Sequence, residues 1–517
     1  MLHTPLSLGE ILLPALLRDP DGPALVLADG AHVTRGEMAR ATAGFVAALD
    51  HAGLKPGDRV GVLSRNRAEV VYLSNALALA NLCVVPLHPM GSSEDFAYVV
   101  GDTALAALVF DPAHYEVVAA ELLRRFAGLK LLGLGPTAAG DDLLALAASL
   151  PAVPLAARPA TSDDIARIAT TGGTTGKPKA ILLSQRAMTT MLAIQMAEWD
   201  WPVELRVLIC APLSHSGLAL MLPAILRGGV MVIHDGFDPQ AVLAAIEREA
   251  ITCTLLVPTM IYALLDHPRL VEFDTASLQS IYYGASSIIP ERLAQGIAAF
   301  GPVFFQFYGQ SEAPMTVTVM RRHEHDPANA RRMASCGRPV PWVRLALLDD
   351  ANQPVAPGTA GEICVQGPLL MREYLDKPEA TAEAFAGGWL HTGDVAVADD
   401  DGFLRIIDRK KDMIITGGFN VYPREIEDVI MGDAAVAQVS VVGQFDPKWG
   451  EKVVAFVVPR VGADIDVDAI IARVRAAKGP VQAPKHVVLG AAMPLSGLGK
   501  PDKKAVRALV AERLASI

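Results

Sequence analysis

Short apolar runs alternate along this chain with segments whose apolar residues recur at helical spacing. Arg59–Leu63 follows the turn Lys55-Pro56-Gly57-Asp58 and reads as a buried strand. Ala68–Asn81 has the helical period, and Leu82–Leu87 and Ala106–Phe110 are strand-like again. The alternation returns at Leu205–Pro212, Val230–His234, Cys253–Pro258 and Ser280–Gly284. Strands separated by helices build βαβ units, so the pattern predicts an α/β fold with mostly parallel sheet.

Two stretches break the pattern. Gly135–Thr161, rich in Ala, Pro and Gly, is predicted to connect subdomains. Further on, the charged run Asp408-Arg409-Lys410-Lys411-Asp412 separates two β-like segments and is predicted to be a solvated linker. Beyond it, strands at Ala437–Val442 and Val453–Val458 and helices at Val467–Ala477 and Lys503–Leu514 suffice for a small α+β domain. The predicted domains are therefore 1–408 and 409–517.

Length supports that division, since 517 residues exceed the roughly 250–300 at which one core stops growing. The most apolar stretch, Val207–Ile233, is broken by Pro212, His215, Pro223 and Arg227, so no membrane span is expected. Glu10, Arg18, Asp19 and Asp21 interrupt the N-terminal apolar patch, which also lacks a cationic lead, and cytoplasmic residence is the default. The five cysteines are scattered, with no metal-type pair, and read as buried free thiols.

A net charge of −11 argues against a nucleic-acid surface. The charge is uneven: residues from Arg409 onward carry 16 Lys and Arg against 12 Asp and Glu, the rest 29 against 44. A basic region on an acidic body suits a small anionic ligand between them, and equally suits ordinary surface variation.

The most informative segment is Thr171-Gly172-Gly173-Thr174-Thr175-Gly176-Lys177-Pro178-Lys179. Glycines let the backbone bring N–H groups close to an anion, hydroxyls add donors or a metal ligand, and lysines supply charge. Pro178 follows Lys177, and strands at Ile165–Thr170 and Ala180–Leu183 flank the loop, so it is not the strand–loop–helix phosphate loop of nucleotide triphosphatases.

The loop resembles the phosphate-binding signature of the adenylate-forming superfamily: acyl-CoA synthetases, peptide-synthetase adenylation domains and luciferases. Further matches follow in order: Tyr283-Gly284-Ala285-Ser286, Tyr308-Gly309-Gln310-Ser311-Glu312, Gly361-Glu362-Ile363, and Trp389 through Asp394. The charged run then leads to Gly417-Gly418-Phe419-Asn420-Val421-Tyr422-Pro423, and Pro494 through Lys500 closes the series. Ala180, Gly172 and Ser311 depart from the usual glycine, serine and threonine, and none removes a catalytic group.

The resemblance implies a large N-terminal domain in αβα layers binding ATP and the acid, and a small mobile C-terminal domain. It implies ATP or AMP binding by Thr171, Gly173, Thr174, Thr175, Gly176, Lys179, Gly284, Ala285, Ser286, Tyr308, Gly309, Ser311, Asp394, Ile406, Arg409 and Lys500. Thr174 and Glu312 would hold Mg²⁺, and Lys500 would act at the α-phosphate. Lys411 would be the hinge, and Gly417, Gly418, Phe419 and Asn420 would line the path of coenzyme A.

The family's acyl pocket falls on His215, Gly217, Leu218 and Ala313, and the small or apolar Gly217, Leu218, Ala313 and Met315 suggest an uncharged, hydrophobic acid. His215 reads equally as a wall residue or a satisfied core histidine. The implied activity is acyl-CoA ligation. Loading of a carrier-protein phosphopantetheine and a catalytically silent ligand-binding scaffold are the alternatives.

Overall fold

The computed structural model describes residues 6–151, 153–170, 178–417, 419–495 and 501–515. It divides into two compact units: one of residues 1–171, 179–344 and 365–390, the other of 172–178, 345–364 and 391–517. Packing thus groups 345–364 and 391–408 with the C-terminal residues. The expected boundary at 408/409 does not coincide with a border of these units and is retained as a proposal.

The first unit holds two large sheets. Among the described residues the first runs, edge to edge, Arg338–Pro339, Ala313–Met320, Phe304–Gln310, Ser280–Tyr283, Cys253–Leu256, Arg206–Ile209, Val230–Ile233, Pro23–Val26, His32–Thr34. From Val230–Ile233 to Phe304–Gln310 the strands are parallel. The chain leaves Arg206–Ile209 toward Val230–Ile233, then returns on its other side to Cys253–Leu256, which makes a topological switch point there. Ligands of open parallel sheets bind outside the carboxyl ends of strands at such reversals. Ser280–Tyr283 is buried throughout, the continuous apolar run of a parallel strand covered on both faces.

The second sheet contains Arg59–Leu63, Cys83–Pro86, Ala107–Phe110 and Lys130–Gly133 in parallel, then Ile165–Thr170 and Ala180–Ser184 as an antiparallel pair. The strands read from the pattern are therefore present, within three residues of their expected ends.

Gly135–Thr161 differs from expectation. It contains the edge strand Asp141–Asp142 and the helix Leu143–Ser149, whose first N–H groups, on Leu144 and Ala145, are capped by the Asp142 carboxylate. An N-cap ahead of a Leu/Ala run outweighs the surrounding turn-forming composition.

In the second unit, Arg344–Leu348, Gly361–Gln366, Leu390–Ala398 and Leu404–Arg409 form a four-stranded sheet. The C-terminal sheet is built on the long antiparallel pair Val436–Asp446 and Gly450–Pro459, with helices Pro423–Met431 and Val467–Lys478 closing one core and helix Lys503–Ala515 a second.

Candidate active site

Several of the sequence-selected residues emerge where parallel strands end. Tyr283 and Gln306 are register partners on neighbouring parallel strands, so Gly284-Ala285-Ser286 and Tyr308 leave the same sheet edge side by side. Gly284 is buried and Ala285 and Ser286 are exposed. Ala285 has φ 65°, a left-handed conformation costly for a residue with a Cβ and concentrated at functional turns. The turn rests on Tyr283, whose hydroxyl donates to Gln306 Oε1 at 3.1 Å and lies 2.9 Å from His325 Nε2. Burial, above all, pushes the His325 imidazole down to about 4, so it is neutral.

Phe304–Gln310 turns at Ser311-Glu312 into Ala313–Met320. Met315 has φ 66°, and the register shifts between Tyr308 and Gln310. This kink brings backbone against Gly309: a Cβ there would lie 2.7 Å from the carbonyl carbon and oxygen of Met315 and 2.8 Å from the Ala313 oxygen. Only glycine fits. Tyr308 is half-buried, and behind this strand Trp199 stacks on Phe307 at 4.8 Å. Ser311 is exposed and Ala313 fully buried.

Glu312 is half-buried. Its Oε1 accepts from the Tyr374 hydroxyl at 2.8 Å, and its main-chain carbonyl accepts from Met371 N–H at 2.8 Å. Lys179 Nζ stands 4.0 Å from the centre of the Tyr374 ring. Burial, then the charge of Glu312, raises the Tyr374 phenol and keeps it a donor. Tyr374 is placed by the edge strand Glu373–Tyr374, paired antiparallel to Ala180–Ser184. Sequence reasoning missed it: a tyrosine 62 positions from Glu312 in a two-residue strand has no periodic signal.

Thr170 and Ala180 are register partners, which ties the two ends of the Gly/Thr loop together. Thr171, Gly173, Thr174, Thr175 and Gly176 lie outside the described residues, as do Gly418 and Lys500.

His215 follows the strand Arg206–Ile209. Its outer edge is exposed, while Ser214 Oγ lies 2.9 Å from Nδ1 and the His88 ring packs edge-on with centroids 4.6 Å apart. Crowding on that inner side, then the charges of His88 and Arg167, hold the imidazole neutral. Arg167 Nη2 donates to the Ser214 carbonyl at 2.7 Å. Gly217 is buried and precedes the helix Leu218–Arg227, with Leu218 half-buried.

The second unit carries the remaining residues. Asp394 is 5% exposed and pairs with Arg409, whose Nε lies 2.9 Å from Oδ1; the two are also register partners on adjacent strands. Ile406 is half-buried on the same strand as Arg409. Within the strand Leu390–Ala398 the segment Thr392-Gly393-Asp394 hangs on Glu362, whose Oε1 accepts the Gly393 N–H at 2.9 Å. Glu362 Oε2 lies 3.0 Å from His391 Nδ1 and accepts from Lys410 Nζ at 3.1 Å. Glu362, Cys364 and His391 could place three ligand atoms within 4.8 Å. The Lys410 ammonium sits on Glu362, and burial raises the Cys364 thiol to about 12, so the three side chains here form a hydrogen-bond network.

Lys411 is exposed within the short 3₁₀ turn Lys410–Asp412. Gly417 has φ 58°, donates its N–H to the Trp449 carbonyl at 2.8 Å, and a Cβ would lie 2.8 Å from the Trp449 indole. Phe419 and Asn420 are exposed on the strand Phe419–Val421. The expectation of a fully solvated charged run fails at Asp408, which is 5% exposed at the end of its strand. It accepts N–H groups from Arg409 and Arg424, which replace water. Lys503 Nζ is 3.9 Å away, yet burial outweighs that charge and raises the Asp408 carboxyl. Burial opposes the Lys503 charge as well, and Glu427, then Asp408, overcome it, raising the ammonium. Lys503 is therefore held more by Glu427, at 3.5 Å, than by Asp408.

Residues 15–375 match the family model of the AMP-binding enzymes, and 425–500 match that of the AMP-binding enzyme C-terminal domain. The chain belongs to this family. It is 47% identical to the medium/long-chain-fatty-acid–CoA ligase FadD8 of Mycobacterium tuberculosis, over 98% of this chain and 91% of that one. It is 36% identical to a feruloyl-CoA synthase of Amycolatopsis, over 92% and 94%. Among solved structures, the amide bond synthetase McbA of Marinactinospora thermotolerans superposes with a TM-score of 0.89 at 34% identity, covering 97% of this chain and 99% of that one. The adenylate-forming fold, with its large unit of mostly parallel sheets and smaller C-terminal unit, thus agrees with the reading from motifs. Among the described residues no helix is long and apolar enough to cross a membrane.

Proposed function

We propose that the residues gathered at the strand ends carry the two half-reactions of acyl-CoA ligation. The chain is an ATP-dependent acid–thiol ligase: it converts a carboxylic acid and ATP to an acyl-adenylate and pyrophosphate, then transfers the acyl group to coenzyme A. The observation that supports this assignment of residues is the junction of Glu312, Tyr374 and Lys179 beside the turn Gly284–Ser286 and Tyr308.

A carboxylate is a poor acyl donor because its leaving group is oxide; attack on the α-phosphate exchanges that for AMP. Tyr308 offers a face to adenine, and Gly284-Ala285-Ser286 supplies main-chain polar groups to its edge. Asp394, held on the Glu362-supported strand, accepts from the ribose hydroxyls, with Arg409 beside it. The Gly/Thr loop directs N–H groups and hydroxyls at the phosphates, and Lys179 adds positive charge. Lys500 stabilises charge accumulating at the α-phosphorus.

Glu312 suits a hard cation. One carboxylate oxygen is oriented by Tyr374, and the other accepts no hydrogen bond among the described residues. Together with Thr174 it would hold Mg²⁺, which supplies charge neutralisation for the departing pyrophosphate. Lys411 is the pivot at which the segment 409–517 reorients, and Gly417, Gly418, Phe419 and Asn420 then line the path of the pantetheine arm.

The acid is hydrophobic. The name of the Mycobacterium tuberculosis relative points to medium- and long-chain fatty acids, and Leu218 and Ala313 are compatible walls. The likeness to McbA supports a second reading in which an amine, rather than coenzyme A, accepts the acyl group. A panel of fatty and aryl acids, assayed for acid-dependent pyrophosphate exchange and separately for thioester and amide formation, tests both. Exchange and thioester with fatty acids is the expected result. Exchange without thioester leaves an amine or a carrier-protein phosphopantetheine as acceptor, and neither activity with any acid refutes the ligase.

A further inference from the structure

The charged groups on the two sides of Lys411 are held in different ways. Upstream, Lys410 Nζ lies 2.7 Å from Asp350 Oδ1 and 3.1 Å from Glu362 Oε2, which ties residue 410 to the four-stranded sheet. Downstream, the C-terminal segment docks on Asp408. Arg424 N–H, at the start of the helix Pro423–Met431, donates to its Oδ2 at 2.8 Å, and Lys503 Nζ stands 3.9 Å from Oδ1. Lys503 is three residues beyond Lys500, at the head of the helix Lys503–Ala515. A rotation at Lys411 carries Arg424 and Lys503 away from Asp408 and leaves Lys410 on Glu362. The carboxylate then keeps the Arg409 N–H but must replace the others, since a buried anion that loses donors is costly.

We infer that Asp408 is a positioning residue: by holding the Arg424 N–H and Lys503 it favours one orientation of the segment bearing Lys500, and so sets the balance between adenylation and thioester formation. The inference rests on the two-step ligase reading above. A two-state equilibrium responds to the free-energy difference between its states, so weakening contacts made in one orientation shifts the population toward the other.

The test uses the full-length chain carrying Asp408→Asn or Lys503→Met. Adenylation is read by pyrophosphate exchange, and acyl transfer by thioester formation from a synthetic acyl-adenylate and coenzyme A. Both rates come from one preparation, so any unfolded fraction cancels in their ratio. Loss of a hydrogen bond to a charged group in one variant, and of a largely buried ion pair in the other, predicts that the ratio moves about tenfold, in the same direction in both. Lys503→Arg should restore most of it. A ratio within about twofold of wild type in either variant, below the smallest effect such bonds exert, or ratios moved in opposite directions, overturn the inference. A wild-type chain inactive in both assays overturns the ligase reading instead, and the inference with it.

Discussion

The Tyr374 hydroxyl donates to Glu312 Oε1 across 2.8 Å, although Tyr374 lies on an edge strand of one sheet and Glu312 in the turn between two strands of another. A carboxylate that binds a cation works best when one oxygen is already oriented, because less ordering remains for the moment of binding. Tyr374→Phe keeps the ring beneath Lys179 and removes only the donor. Partners of this kind change metal affinity or activity by about 10–100-fold. The Mg²⁺ concentration giving half-maximal pyrophosphate exchange should rise by that order, with the KM for the acid little changed. An unaltered Mg²⁺ dependence would show that Tyr374 merely fills space.

Gly309 is a second point at which the site depends on one atom's absence. A methyl group there meets the Met315 and Ala313 main chain, which cannot swing aside as a side-chain tip can. Overpacking of this kind costs about 1–3 kcal/mol. Gly309→Ala should lower the Tm and raise the KM for ATP, because the same kink sets Tyr308 and Glu312. Unchanged thermal unfolding would contradict the close approach.

His325 predicts a pH dependence. Its folded pKa is lowered to about 4 against an ordinary value of 6.5, with burial the chief cause. Between those values the unfolded chain binds the proton and the folded chain does not, so stability falls as pH drops through that window. The change is complete below about 4, with a slope of at most about 1.4 kcal/mol per pH unit from this group. His325→Gln should flatten that part of a plot of unfolding free energy against pH. An unchanged slope would mean that His325 is protonated in the folded state.

What could be read from the sequence was the pattern that burial imposes. Ser280–Gly284 and Arg59–Leu63 announce themselves because a strand covered on both faces admits only apolar residues. The hairpin that frames the Gly/Thr segment was legible because its flanking segments both read as strands, and Thr170 and Ala180 do pair. Tyr374 and Asp408 were not legible, for related reasons. Each is defined by a partner that only the folded chain brings near: Glu312 for one, the Arg424 N–H for the other. A charged run looks solvated until a helix N-terminus arrives to replace its water. Residues 135–161 were read only as a connection, and the helix within them went unread although the Asp142 cap ahead of a Leu/Ala run signals it.

The role proposed for Lys500 would separate the two half-reactions most sharply. Attack of the acid on the α-phosphate gathers negative charge on phosphorus and its oxygens, and an ammonium fixed there lowers that barrier; thioester formation gathers charge at the acyl carbon instead. Lys500→Met should therefore reduce acid-dependent pyrophosphate exchange by about 10²–10³, the usual cost of losing one preorganised donor at developing charge. Thioester formation from a supplied acyl-adenylate should stay near the wild-type rate. The neighbouring Lys503, whose ammonium is engaged by Glu427 and Asp408, should not substitute for it. Equal losses in both assays would mean that Lys500 serves the fold or the bound nucleotide, and would remove it from the chemistry of adenylation.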